Sequence, residues 1–181
     1  MTRAFVVALL GAESTGKTTL AQGLGSALAA RGDDVLVVGE YLREFCDAEG
    51  RTPRREEQRA IAAEQSRRID AAAAQAQVVV ADTSAVMIAV YSEIVFGDTS
   101  LHAEAAAAHR RYDLTLLTAL DLPWLADGLQ RDGPHVREPV DARVRALLRD
   151  AGIAFSRVGG VGAARLQEGL RLVDQERRVG G

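Results

Sequence analysis

The chain has 181 residues, enough for one α/β domain with its own core, and its 48% apolar and 26% charged residues are ordinary for a globular protein. A net charge of −3 offers no electrostatic footprint for nucleic acid, and no apolar run approaches the ~20 residues of a membrane span. One cysteine, Cys46, excludes an internal disulfide and suits a reducing cytoplasm, and nothing at the start reads as a secretory leader.

Residues 4–10 are a continuous apolar run that predicts a buried strand. Directly after it, Gly11-Ala12-Glu13-Ser14-Thr15-Gly16-Lys17-Thr18 spells G-x-x-x-x-G-K-[ST]. Residues 19–30 then place Leu20, Leu24, Ala27 and Leu28 at helical spacing. Strand, glycine-bounded loop and helix together make a phosphate-binding loop. Glycines let consecutive N–H groups approach an anion, and the helix adds its free N–H groups and positive dipole end. The nucleotide phosphates are expected on Gly11, Glu13, Ser14, Thr15, Gly16, Lys17, Thr18 and Thr19, with Thr18 also on Mg²⁺. Lys17 is the only lysine of the chain, every other member of the lysine-plus-arginine set being arginine. A compact ammonium suits a phosphate cage where a planar fork does not.

Residues 35–38 predict a second strand, ending in Gly39-Glu40-Tyr41-Leu42-Arg43-Glu44-Phe45. A polar loop over 47–55 leads to a long alanine-rich helix over 56–76, with Ile61 and Ile69 on one face. Residues 78–81 form an apolar strand of the kind buried on both faces of a parallel sheet, closing at Asp82-Thr83. Helices are expected over 84–96 and 101–111, and a fourth strand over 114–117. It is followed by Asp121-Leu122-Pro123-Trp124 and a polar stretch over 125–140 carrying Arg131, His135 and Arg137. A helix over 141–150, a strand over 153–158 and a helix over 163–176 complete the pattern, with 177–181 as a flexible tail.

Strands alternating with helices predict an α/β fold of the P-loop NTPase type: a five-stranded, mostly parallel sheet with helices on both faces. No linker or second domain is visible, so residues 1–176 read as one domain. The polar motifs fall at the carboxyl ends of the strands, where such sheets bind ligands. Asp82 ends the third strand, where P-loop proteins hold Mg²⁺; it could equally cap the helix that follows. The next residue is Thr83 rather than a second acid to orient water, which favours passing the phosphoryl group to an acceptor over hydrolysis. Glu40 could accept a proton from that acceptor or be a solvated acid paired with Arg43. Arg131 and Arg137 sit where a lid arginine could neutralise the transferring group, or could be surface residues. Thr118-Ala119-Leu120-Asp121 has the Thr and Asp of a guanine-reading motif without its lysine, and reads as coincidence.

Five segments together resemble the ribosylnicotinamide kinase domain of NadR-type proteins, within the AAA-type ATP-binding P-loop kinases: residues 11–18, Glu40-Tyr-Leu-Arg-Glu44, Asp82-Thr83, Pro123-Trp-Leu-Ala-Asp-Gly128, and 152–158. The similarity implies ATP and Mg²⁺ as cofactors and the 5′-hydroxyl of nicotinamide riboside, or a similar small nucleoside, as acceptor. By position, Lys17 and Thr18 would serve the ATP phosphates and Mg²⁺. Glu40, Tyr41, Arg43 and Asp82 would line the acceptor site, with Trp124 and Asp127 on the riboside. Lys17, Glu40, Asp82 and Arg131 would be the catalytic set. The family's acid and threonine pair after Asp-Thr correspond here to Ser84, Met87 and Ile88, and its arginine after D-G-x to Gln130, with Arg131 following. A nucleotide-binding regulator and a plain ATPase are the other classes considered.

Overall fold

The computed structural model describes residues 3–125 and 133–179. Strands β1 (Phe5–Leu10), β2 (Val35–Val38), β3 (Val78–Asp82), β4 (Leu114–Thr118) and β5 (Ser156–Val158) form one sheet in the order β2-β3-β1-β4-β5. Every pairing among the described residues is parallel. The central strands β3 and β4 are buried throughout, as is β1 beyond Phe5, which explains their unbroken apolar runs. The edge strands β2 and β5 are short and partly exposed.

Side chains alternate between two cores. Val7 and Leu9, Val78 and Val80, and Leu114 and Leu116 pack under α1 (Lys17–Ala30) and α7 (Ala163–Val179). The opposite face carries α3 (Gln58–Ala73), α4 (Ala85–Phe96), α5 (His102–His109) and α6 (Arg137–Asp150). α4 is the middle of that layer and is apolar all round, as a helix enclosed by other helices must be. Its residues Met87 and Ile88 are almost fully buried, so truncating Ile88 to alanine would cost about 2–5 kcal/mol.

Element boundaries differ from the sequence expectation in several places, and the last strand keeps only Ser156–Val158 of the expected 153–158. Tyr41–Glu49 forms a helix, α2, where a motif and then a polar loop were expected. Leu42 and Cys46, one turn apart, are its buried positions, and Gly50 at φ 64 terminates it. α6 begins a turn earlier than residue 141, after the short 3-10 turn Pro134–Val136. The last helix continues to Val179 rather than fraying from residue 177, because Arg177 makes a two-pronged pair with Asp33 at 2.8 and 3.0 Å.

His109 on α5 is buried and ties two elements together. Its Nδ1 lies 2.8 Å from Ser84 Oγ and its Nε2 2.8 Å from Thr115 Oγ1. Burial pushes its pKa down to about 4, so the ring is neutral at physiological pH.

The strand order places the motifs. The chain runs from β1 out to β2, returns to β3, then crosses to β4 on the other flank of β1. The reversal makes a crevice at the carboxyl end of β1, beside the loop that follows it.

Candidate active site

Residues 11–16 wrap the end of β1, and α1 begins at Lys17. Gly11 takes φ 151, and a Cβ there would collide with Thr118 Oγ1 on β4. Gly16 takes φ 75, and a Cβ there would lie 2.9 Å from Leu122 Cδ1. Both glycines of the motif are therefore demanded by conformation and by close neighbours. Ser14 adopts φ 55, a strained value for a residue with a side chain. Thr15 is fully buried; its Oγ1 bonds the Ala12 carbonyl at 2.8 Å and contacts Thr118 Oγ1 at 2.7 Å. Lys17 Nζ donates to the Ala12 carbonyl at 3.0 Å, which keeps the ammonium folded over the loop. Thr19 is exposed in the first turn of α1.

Asp82 is 3% exposed at the end of β3. Thr18 Oγ1 donates to its Oδ2 at 2.5 Å, while Oδ1 is buried with no hydrogen-bond partner among the described residues. The alternative of Asp82 as helix cap falls away: Ser84 caps α4, its Oγ accepting Val86 N–H at 3.2 Å. An orphaned buried carboxylate oxygen beside a threonine hydroxyl fits the oxygen-donor chemistry of Mg²⁺, which takes one or two carboxylates and fills its shell with phosphate and water. Thr83 follows at φ 82, an outlier for a β-branched residue, with its N–H on the Leu9 carbonyl at 3.0 Å.

Next to the loop is a narrow cleft of about 40 Å³ lined by Glu13, Ser14, Lys17, Glu40, Arg43, Tyr91 and Leu125. The sheet order accounts for it, since β2 and β3 end side by side next to β1. Glu40 lies at the start of α2 with a largely buried side chain, and Arg43 Nε stands 3.9 Å from its Oε2. Five of the residues singled out in sequence (Glu13, Ser14, Lys17, Glu40 and Arg43) thus meet in one place. Tyr41 goes elsewhere: Arg68 lies over its ring at 4.4 Å, and its N–H bonds Gln65 Oε1. Tyr91 of α4 supplies the aromatic surface of the cleft instead. Trp124 is half-buried beside Leu125, whose backbone is held to Ser14. Asp127 and Arg131 lie outside the described residues.

Two arginines near the site are buried: Arg137, named in sequence as a candidate lid arginine, and Arg165, which sequence reasoning passed over. Arg137, first residue of α6, is 7% exposed; Nη1 donates to the Leu122 carbonyl at 2.9 Å, whereas Nε and Nη2 are buried without partners among the described residues. Arg165 of α7 is 4% exposed and reaches the phosphate loop itself, donating to the Thr15 carbonyl at 2.6 Å. Among 21 arginines no local pattern marks Arg165. Asp121 is also accounted for: one oxygen pairs with Arg165 and the other accepts Gly160 N–H at 2.6 Å. Both its oxygens thus have partners within the chain.

This sheet order, with a phosphate loop after β1 and an acid at the end of β3, defines a P-loop nucleotide-binding protein with a kinase-type fold. A family model described as an AAA domain matches residues 6–165, and the chain belongs to that P-loop family. Its fold is similar to that of a NadR protein crystallised in complex with NR, with a TM-score of 0.77 at 18% identity over 96% of this chain. The chain spans about half of that protein, 50% of its length. A thymidylate kinase from Ehrlichia chaffeensis is similar too, with a TM-score of 0.69 at 12% identity over 95% of this chain and 100% of that one. No curated protein matches by sequence. Among the described residues, no helix is long and apolar enough to cross a membrane.

Proposed function

We propose that this protein is an ATP-dependent kinase that transfers the γ-phosphoryl group to the 5′-hydroxyl of nicotinamide riboside or a similar small nucleoside. One observation carries the reading: the Glu40 carboxylate and the loop's Lys17 line the same cleft, beside the Asp82–Thr18 pair. A base, a phosphate-binding cation and an acid suited to a metal ion are what phosphoryl transfer to a hydroxyl requires. The fold shared with a NadR protein bound to NR, which we take as nicotinamide riboside, supports the acceptor. Dependence on ATP and the single unpaired cysteine, Cys46, suit the cytoplasm as its working compartment.

In this reading Glu40 takes the proton of the acceptor hydroxyl as its oxygen bonds to the γ-phosphorus and the bond to the ADP oxygen breaks. Asp82 is the poorer base, because Oδ2 is already engaged by Thr18. Mg²⁺, held by Asp82 and Thr18 Oγ1, would supply charge neutralisation on the phosphates. Lys17 leaves the Ala12 carbonyl for the β/γ-phosphates. Arg137, whose buried Nε and Nη2 have no partner among the described residues, takes the charge-neutralising lid role for which the sequence offered Arg131 and Arg137. Tyr91 in the cleft and Trp124 beside it offer π surface to a cationic nicotinamide ring, a preference of about 0.5–2 kcal/mol over uncharged bases.

The test is ADP release from ATP·Mg²⁺ without acceptor and with nicotinamide riboside, uridine, cytidine, adenosine or thiamine. Clear stimulation by nicotinamide riboside and weak turnover without acceptor are expected. Equal stimulation by uncharged nucleosides would remove the nicotinamide assignment and keep the kinase. A rate that no acceptor changes would replace the kinase with a regulator or an ATPase.

A further inference from the structure

We infer that Arg165 is a positioning residue of the phosphate loop: through the Thr15 carbonyl it sets the facing of the Thr15–Gly16 peptide and so aims the Gly16 N–H at the phosphates. This rests on the reading of residues 11–18 as the nucleotide site.

Arg165 comes from the far end of the chain, in the first turn of α7. Its guanidinium is spent in three directions. Nη1 donates to the Thr15 carbonyl at 2.6 Å, Nε donates to the Gly160 carbonyl at 2.8 Å, and Nη2 pairs with Asp121. Asp121 in turn accepts Gly160 N–H at 2.6 Å, so guanidinium, carboxylate and the glycine loop after β5 lock one another. A buried charge so fully bonded has one orientation available.

The consequence for the loop follows from peptide geometry. No described peptide is cis, and in a trans peptide the C=O and the next N–H point in opposite directions. With the Thr15 oxygen drawn toward Arg165, the Gly16 N–H faces away from it. Gly16 sits at φ 75, immediately before the N-terminus of α1, where an inward-facing N–H joins the helix's free donors in an anion-binding concavity. The Thr15 side chain is pinned separately, to Ala12 and Thr118, so side chain and carbonyl are held by different parts of the fold. Without Arg165 the carbonyl loses its buried donor, and the peptide is free to turn its oxygen toward incoming phosphate.

Calorimetric titration with inorganic tripolyphosphate and with ATP·Mg²⁺ separates the phosphate site from everything else in the enzyme. R165M should weaken both ligands by roughly tenfold, about 1.4 kcal/mol. D121N keeps every Arg165 donor and should lose less than threefold. In ¹H–¹⁵N spectra the Gly16 amide should move in R165M and stay in D121N, which a loss of stability alone would not produce. R165K keeps the charge with one nitrogen in place of three, and covers the case in which R165M does not fold; at least a threefold loss is expected. Wild-type affinity in folded R165M or R165K overturns the inference. Equal losses in D121N and R165M overturn the carbonyl route as well. A wild type that binds neither ligand removes both this inference and the kinase. One that binds them without acceptor-dependent turnover removes the kinase alone.

Discussion

Ser14 Oγ donates to the Leu125 carbonyl at 3.0 Å and accepts the Leu125 N–H at 2.7 Å, so one hydroxyl clasps the segment after β4 to the phosphate loop. The cleft beside it is narrow, about 40 Å³, so in the proposed reaction opening the clasp would make room for a riboside. Two hydrogen bonds at about 0.5–1.5 kcal/mol net each set the cost of opening. S14A should therefore speed association of nicotinamide riboside by at least roughly fivefold. Trp124, the sole tryptophan, adjoins Leu125 and reports the opening in stopped-flow fluorescence. An unchanged rate would mean that entry does not break this contact.

Glu40 and Asp82 should fail differently. E40Q removes the proposed proton acceptor and leaves the phosphate loop intact, so kcat should drop about 10²-fold or more with little change in the KM for ATP. D82N removes a metal-facing charge, so the Mg²⁺ concentration for half-maximal rate should rise while the affinity for metal-free ATP holds. Normal turnover in E40Q would transfer the base role to Asp82.

Among the described residues, Arg137 Nε and Nη2 are buried without partners, an expensive state for a cation outside catalysis. R137M keeps the stem and discards the charge. It should raise the ligand-free Tm by about 2–4 °C, an expected gain of about 1 kcal/mol, and lower kcat at least tenfold. A fall in Tm with unchanged kcat would make Arg137 a structural residue.

Burial holds His109 at about 4, below its ordinary 6.5. The unfolded chain therefore takes up the extra proton first as pH falls. The stabilisation from a neutral His109 is complete above about 6.5, is lost progressively below that, and the loss levels off near 4. The full shift corresponds to roughly 3 kcal/mol. Urea midpoints between pH 7 and 5 should fall in the wild type and stay nearly flat in H109Q. The carboxylates held near 2, such as Glu57 and Asp98, contribute below that window. Parallel curves for the two proteins would place the proton elsewhere.

Local sequence was enough for everything that depends on a residue's immediate neighbours. The loop at 11–18 is legible because phosphate binding by backbone N–H groups needs glycine at two fixed positions and a strand and helix on either side. The buried strands are legible because central parallel strands must be apolar on both faces. The helix at 41–49 was missed because only Leu42 and Cys46 mark its buried face, too little periodicity to stand out in a polar, charged stretch.

Tertiary structure decided what depends on distant parts of the chain meeting. Strand order brings Glu40 and Lys17 into one cleft, and no local pattern carries strand order. It also sends the Tyr41 ring under Arg68 while Tyr91, from a helix that reads as plain core, enters the cleft. Arg165 reaches Thr15 across 150 residues of sequence. With arginine used at 21 positions, composition cannot distinguish a solvated guanidinium from one buried against the phosphate loop. The difference is desolvation and the partners that offset it, and both exist only once the chain has folded.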